Sequence, residues 1–388
     1  MILLIKIPER KYLPVQDTHV RHLKHPVSDA IQFYLNCCDI LIGVKNFSQL
    51  DLNTNLKKNK MKSLLTKIST KKYQELKDIK KVFDDKEFES SFLTSCVHLK
   101  DLLSEMLDLS SMIYFENILK NKPETLISIH SYLVSNYSMF KTDTGENVFK
   151  TEMTNKSSVF KVLESIYNYD DFRDGKLSVN WGAYNLCEQL DINVCPYCNR
   201  MYTFTVINSN KEITRPELDH YFPKSLFPLF SISFYNLIPS CKVCNSNIKK
   251  DNYLNIEEYL HPYITSLSSA YKFDFLPLDF DAVEGKNKNN KIFINQNGIV
   301  DDKSDKFLDK FLIEDIYEQH KNIIPIYINK HKFYPDSMIS EISNLLSIPK
   351  EDLLLSLYNP ASEEEIIDIS LGKFKRDIYL KFLSYYDV

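Results

Sequence analysis

The stretch Glu217–Pro223 reads ELDHYFP and sets a carboxylate, Asp219, directly before an imidazole, His220, where apolar flanks mark the end of a strand. A neutral imidazole titrates near working pH, so His220 can take a proton from an attacking water. Hydrolytic chemistry of that kind also gains from a cation that steadies the charge on a departing oxygen. A hard divalent ion such as Mg2+ or Mn2+ takes oxygen ligands. Asp219 offers a carboxylate oxygen and Asn245 an amide oxygen. By itself an Asp-His pair is common, and the surrounding chain has to supply its meaning.

That surrounding chain holds two C-x-x-C turns, CPYC at Cys195 and Cys198 and CKVC at Cys241 and Cys244, with 42 residues between them. One such turn lets two thiolates reach one ion, and two complete a tetrahedral four-cysteine zinc site. The competing interpretations are redox chemistry and coincidence, and two matched turns are far more specific than one. The other four cysteines, Cys37, Cys38, Cys96 and Cys187, fall in apolar helical stretches and are expected to be small core residues.

The elements that must position these groups can be sketched from periodicity. MYTFTVI at 201–207 is β-branched and aromatic, NSNK at 208–211 is turn chemistry, and EITRPELDH at 212–220 returns as a second strand with Pro216 at an edge or bulge. FPKSLFPLFSIS, with Pro223 and Pro228, predicts an irregular loop, and FYNLIPSCKVCNSNIKK leads into a short helix starting near Cys241. The order is strand, strand, loop, helix, clamped by cysteine turns at its start and finish.

Three regions are expected: residues 1–180, mainly helical; 181–260, the candidate core; and 261–388, mainly helical and packed on that core. In the first, Ile2–Ile7 is strand-like. A helix should start after Pro26, capped by Ser28 or Asp29, with Ala30, Phe33, Tyr34 and Cys37 inward. Further helices are expected over 60–83, 92–120 and 123–140. In the last region a hairpin is expected around 291–300, helical stripes at Leu308, Phe311, Leu312, Ile316 and Tyr317 and at Leu353, Leu354 and Leu357, and a closing helix over 370–383. The fold class is α+β.

Composition narrows the function. With 44% hydrophobic residues the chain can build real cores, and a net charge of -4 argues against a uniformly basic nucleic-acid coat. Any basic surface must be local. Residues 57–81 carry ten lysines against Glu75 and Asp78, which is either a phosphate-binding stripe or a solvated helix face. The opening MILLIKIPER lacks a cleavage site, and no segment nears the roughly 20 apolar residues of a membrane helix, so a cytoplasmic location is expected.

The run CPYCN, LDHYFPKS and NLIPSCKVCNSNIKKD, about 55 residues, resembles the zinc-stapled branch of the HNH endonucleases, which share the ββα-metal fold. The histidine and the two asparagines occur in the family's order, with Asn in place of the last His. The resemblance implies His220 as general base, Asp219 and Asn245 on a catalytic Mg2+ or Mn2+, and Asn236 tying the loop to the backbone so as to orient the histidine. Lys224, Lys249 and Lys250 are candidate phosphate contacts, and His261 is expected to be structural. Proteins resembling this one, with large helical extensions, occur in bacterial anti-phage defence, where an ATPase partner restrains or directs the nuclease; the chain has no P-loop of its own. DNA is the expected substrate. An RNase with the same core, or a zinc-stapled nucleic-acid-binding scaffold without catalysis, are the alternatives.

Overall fold

Val15, His19, Leu23, Val27 and Ile31 recur every four residues and are all buried, and the segment that carries them, Glu9–Leu41, is one helix, α1. It runs through Pro14 and Pro26 without a break. A proline inside a helix costs about 3 kcal/mol, whereas each fully buried leucine, valine or isoleucine contributes roughly 1.5–3 kcal/mol, so the stripe wins. This corrects the expectation of a helix that begins only after Pro26.

The computed structural model describes residues 6–41, 97–137, 140, 158–208, 211–267, 269–296 and 301–386. The expected helix over 60–83 and the lysine-rich stretch 57–81 lie outside the described residues, as does most of Ile2–Ile7. Ile7 itself is irregular, and its N–H donates to the Pro262 carbonyl at 2.7 Å. The fold is α+β and mostly helical with small sheets. No helix among the described residues is long and apolar enough to cross a membrane.

The chain divides into two units. The first comprises Val15–Leu186 and Phe222–Leu237 and is helical. Besides most of α1 it contains a helix over 97–106, α2; Phe115–Lys120, α3; and Pro123–Asn136, α4, which starts with its proline in the first turn, where no N–H is missed. The expected 92–120 helix is thus split at 107–114, a run of turns around Asp108. His19 sits in this unit's core among the rings of Phe172, Trp181 and Phe234.

The second unit comprises Met1–Pro14, Cys187–Tyr221 and Ile238–Val388. Among the described residues its strands pair two by two, as three separate ribbons rather than one sheet. Val206–Asn208, β1, pairs antiparallel with Lys211–Thr214, β2, through a bulge at Val206/Ile207. Pro216 then stops the ladder, because it has no N–H to donate. Glu217–His220, β3, is a separate strand, paired instead with Leu237–Ser240, β4. EITRPELDH is therefore not one strand, a correction to the expected hairpin. Tyr271–Pro277, β5, pairs antiparallel with Asn290–Gln296, β6, over seven residues. Of the hairpin expected around 291–300, the strand at 290–296 pairs with β5 upstream, and residues 297–300 lie outside the described residues.

Asp302–Lys310 and Ile313–Tyr317 form two helices rather than one, since Leu312 adopts a left-handed conformation (φ 51°) and is exposed, not inward as its spacing predicts. The closing helix, Gly372–Leu383, covers β5: Phe374 meets Phe273 edge-on at 5.4 Å, and Phe382 stacks on Phe275 at 6.0 Å. The segment before and into this helix also grips the first cysteine turn. Asn199, at φ 48°, donates to the Ile366 carbonyl at 2.6 Å and accepts from the Lys373 N–H at 3.0 Å, while its own carbonyl accepts from Leu371 at 2.7 Å. Tyr317 donates to the Cys198 carbonyl at 2.7 Å.

Candidate active site and metal centre

Cys195, Cys198, Cys241 and Cys244 are all buried, and their sulfurs lie within 4.8 Å of one another. Cys198 and Cys241, one from each turn, approach to 3.9 Å. Zinc bonded to sulfur at about 2.3 Å in a tetrahedron puts neighbouring sulfurs roughly 3.8 Å apart, so the cluster fits a four-coordinate ion. The Cys244 N–H donates to the Cys241 sulfur at 3.5 Å, the kind of bond that holds a thiolate in a tight turn. Contacts with Cys195, Cys241 and Cys244 hold the Cys198 thiol well below its ordinary range, while burial pushes Cys195 well above it. Cys38 and Cys187 are simply buried, and Cys96 lies outside the described residues.

The second turn opens directly into Val243–Lys249, a π-helix closed by an i→i+5 bond from the Lys250 N–H to the Asn245 carbonyl at 2.7 Å. Asn245 and Lys249 are one turn apart on this helix, and Glu217 and Asp219 are one strand repeat apart on β3. The two spacings match. Asn245 Nδ2 donates to Glu217 Oε2 at 2.9 Å, and Lys249 Nζ donates to Asp219 Oδ1 at 2.9 Å. Ser246 adds a second bond to Glu217 at 2.6 Å.

Asp219 is only 1% exposed, and both its oxygens are engaged: Tyr197, from the middle of the first cysteine turn, donates to Oδ2 at 2.5 Å. Lys249 is 0% exposed and also donates to the His220 carbonyl at 2.7 Å. Lysine is almost never fully buried unless paired. This corrects the expectation of Lys249 as a phosphate contact, since no phosphate reaches it. His220 ends β3 half-buried, in contrast to Asp219 beside it. As folded, Asp219 does not fit a divalent ion, because an ammonium already carries the counter-charge and the carboxylate is buried.

Of the other predicted residues, Lys250 is exposed at the end of the π-helix. Asn236, in the helical unit, is 0% exposed: it accepts from the Phe222 N–H at 2.6 Å and donates to the carbonyls of Phe222 (3.1 Å) and Phe230 (2.8 Å), tying both ends of the loop 222–230. Lys224, also there, lies 3.9 Å from Asp170 and over the Tyr169 ring. His261 is buried in the second unit, its ring 4.3 Å from that of Tyr221.

Three residues here escape sequence reasoning. Tyr197 carries no motif signal beyond its place between cysteines. Glu217 is marked only by lying two residues before Asp219. Lys310 comes from a distant helix, and its ammonium is pushed below the ordinary value by partial burial and by the charges of Lys249 and Lys250. No protein-family model, curated protein or solved structure matches this chain, so the assignment of a function rests on this geometry and on the residue pattern alone.

Proposed function

We propose that the protein is an HNH-type endonuclease that hydrolyses phosphodiester bonds in DNA, with His220 as general base and zinc on the four cysteines as a structural staple. The supporting observation is the placement of His220: it ends β3, half-exposed, while the partner strand β4 runs straight into Cys241 and the helix of the second cysteine turn. A neutral imidazole there takes the proton of an attacking water. Zinc with four cysteine ligands has no open position, so when bound it holds the fold and leaves the chemistry to other groups. Lys250 and Lys310 supply positive charge that draws a phosphate to this rim. Mg2+ or Mn2+ is the catalytic cofactor that the pattern implies, but its proposed ligand Asp219 is closed off, and no step is assigned to it. The setting we propose is bacterial anti-phage defence with an ATPase partner.

One observation favours a second interpretation, a zinc-stapled nucleic-acid-binding scaffold: the carboxylate expected to hold a catalytic ion is occupied by Lys249. The deciding experiment offers plasmid, duplex DNA, single-stranded DNA and tRNA to the zinc-loaded protein with Mg2+ or Mn2+, beside His220→Ala. The expected result is cleavage of DNA by the wild type and none by a folded, zinc-replete His220→Ala. Equal cleavage by both removes His220 as base, cleavage of tRNA alone makes the protein an RNase, and binding without cleavage makes it a scaffold.

A further inference from the structure

We infer that Lys249 is a positioning residue: its ammonium is the permanent counter-ion of Asp219, in the place where a metal-dependent site would put a divalent ion, and the pair fixes the backbone at His220. The geometry is a relay of three buried groups. Tyr197 donates to Asp219 Oδ2 at 2.5 Å, Lys249 donates to Asp219 Oδ1 at 2.9 Å, and the same ammonium donates to the His220 carbonyl at 2.7 Å. Tyr197 belongs to the first cysteine turn and stacks on Phe311 at 4.5 Å. Lys249 ends the helix that the second cysteine turn begins.

Both halves of the cysteine cluster therefore converge on Asp219, and through Lys249 they reach the residue that carries the imidazole. A divalent ion could take Asp219 only by expelling an ammonium that is 0% exposed, which would leave a buried lysine without its partner. A surface role for Lys249 is excluded by the same burial. The clamp itself is independent of the nuclease assignment, and only its kinetic consequence rests on that assignment.

The test uses the full-length, zinc-loaded protein and three readouts. First, Mn2+ is titrated by electron paramagnetic resonance into the wild type and Asp219→Asn. Indistinguishable titrations are expected, and a loss of roughly 100-fold in affinity, the size of effect seen when a metal shell is damaged, overturns the inference. Second, the carbonyl of His220 is observed directly: His220–Tyr221 is the only His-Tyr pair in the sequence, so a sample with 13C-carbonyl histidine and 15N tyrosine gives one cross-peak. Lys249→Met should move this peak and Lys249→Arg should leave it nearer the wild-type position; a peak unmoved in Lys249→Met overturns the clamp. If Lys249→Met fails to fold, the double variant Asp219→Asn with Lys249→Met supplies the spectrum. Third, DNA cleavage by Lys249→Met should show kcat reduced about 10-fold or more with KM little changed, as expected for a misplaced base rather than lost binding, and recovery in Lys249→Arg; an unchanged kcat overturns the positioning role. A wild type that cleaves no polymer refutes the nuclease assignment, while the Mn2+ titration and the His220 cross-peak still decide the clamp.

Discussion

The ammonium of Lys249 lies 2.9 Å from the carboxylate of Asp219, with the two side chains 0% and 2% exposed. Ion pairs so fully removed from water gain little over an apolar pair, yet are costly to break from one side, because the remaining charge is stranded. Lys249→Met should therefore destabilise the protein by about 3–5 kcal/mol. The double variant Asp219→Asn with Lys249→Met should be more stable than the single one. Urea unfolding of the four proteins of this cycle measures both.

The cysteine cluster predicts one zinc ion per chain by elemental analysis, lost on replacing Cys198 or Cys241 by serine. Structural zinc in small domains binds with about 10–16 kcal/mol of apparent free energy that is largely folding free energy. Stripping the ion with a chelator should abolish the cooperative thermal transition of the unit that holds the cluster, and added zinc should restore it.

His19 gives a pH dependence of defined sign. Its Nε2–H donates to the Ile232 carbonyl at 2.8 Å and its Nδ1 accepts from Trp181 at 3.2 Å, so the buried ring is satisfied as the neutral form. Burial lowers its pKa from 6.5 to about 4. The unfolded state then binds the proton first, so the contribution of His19 to stability is full above about pH 6.5 and is lost as pH drops from there toward 4, by roughly 3 kcal/mol. His130, lowered by burial to about 4, adds in the same direction. Urea midpoints between pH 8 and pH 4 should fall less steeply for His19→Gln, which keeps a donor and an acceptor.

Asn236→Ala removes three hydrogen bonds from a site closed to water. Unpaired buried groups cost about 1–3 kcal/mol each, so a loss of at least about 2 kcal/mol is expected. Limited proteolysis should show earlier cutting within 222–230.

How much of this could be read from the chain follows from the range of each signal. Each cysteine turn and the helix behind Cys244 are legible because their spacing is local, as is the start of α4 at Pro123. The pairing of β3 with β4, and of β6 with β5, is not, since each joins segments more than a dozen residues apart and the nearer partner looked equally good. Proline misled in one direction and informed in the other: Pro26 is overridden by a buried stripe, while Pro216 ends a ladder that has no such compensation. Lys249 reads as a solvated lysine in NIKKD, and only the match between a helical turn and a strand repeat reveals it as the partner of Asp219. The left-handed Leu312 breaks a helical stripe that its sequence spacing would extend.

The first cysteine turn is gripped by Asn199 contacts to Ile366, Leu371 and Lys373. Those partners are synthesised long after Cys244, the last of the four thiols. During translation the thiols can therefore gather around an ion well before the backbone beside them finds its final hydrogen bonds. Closure of the cysteine cluster and its locking can thus be separated in the birth of the molecule, the second waiting on the arrival of residues 366–373 from the ribosome.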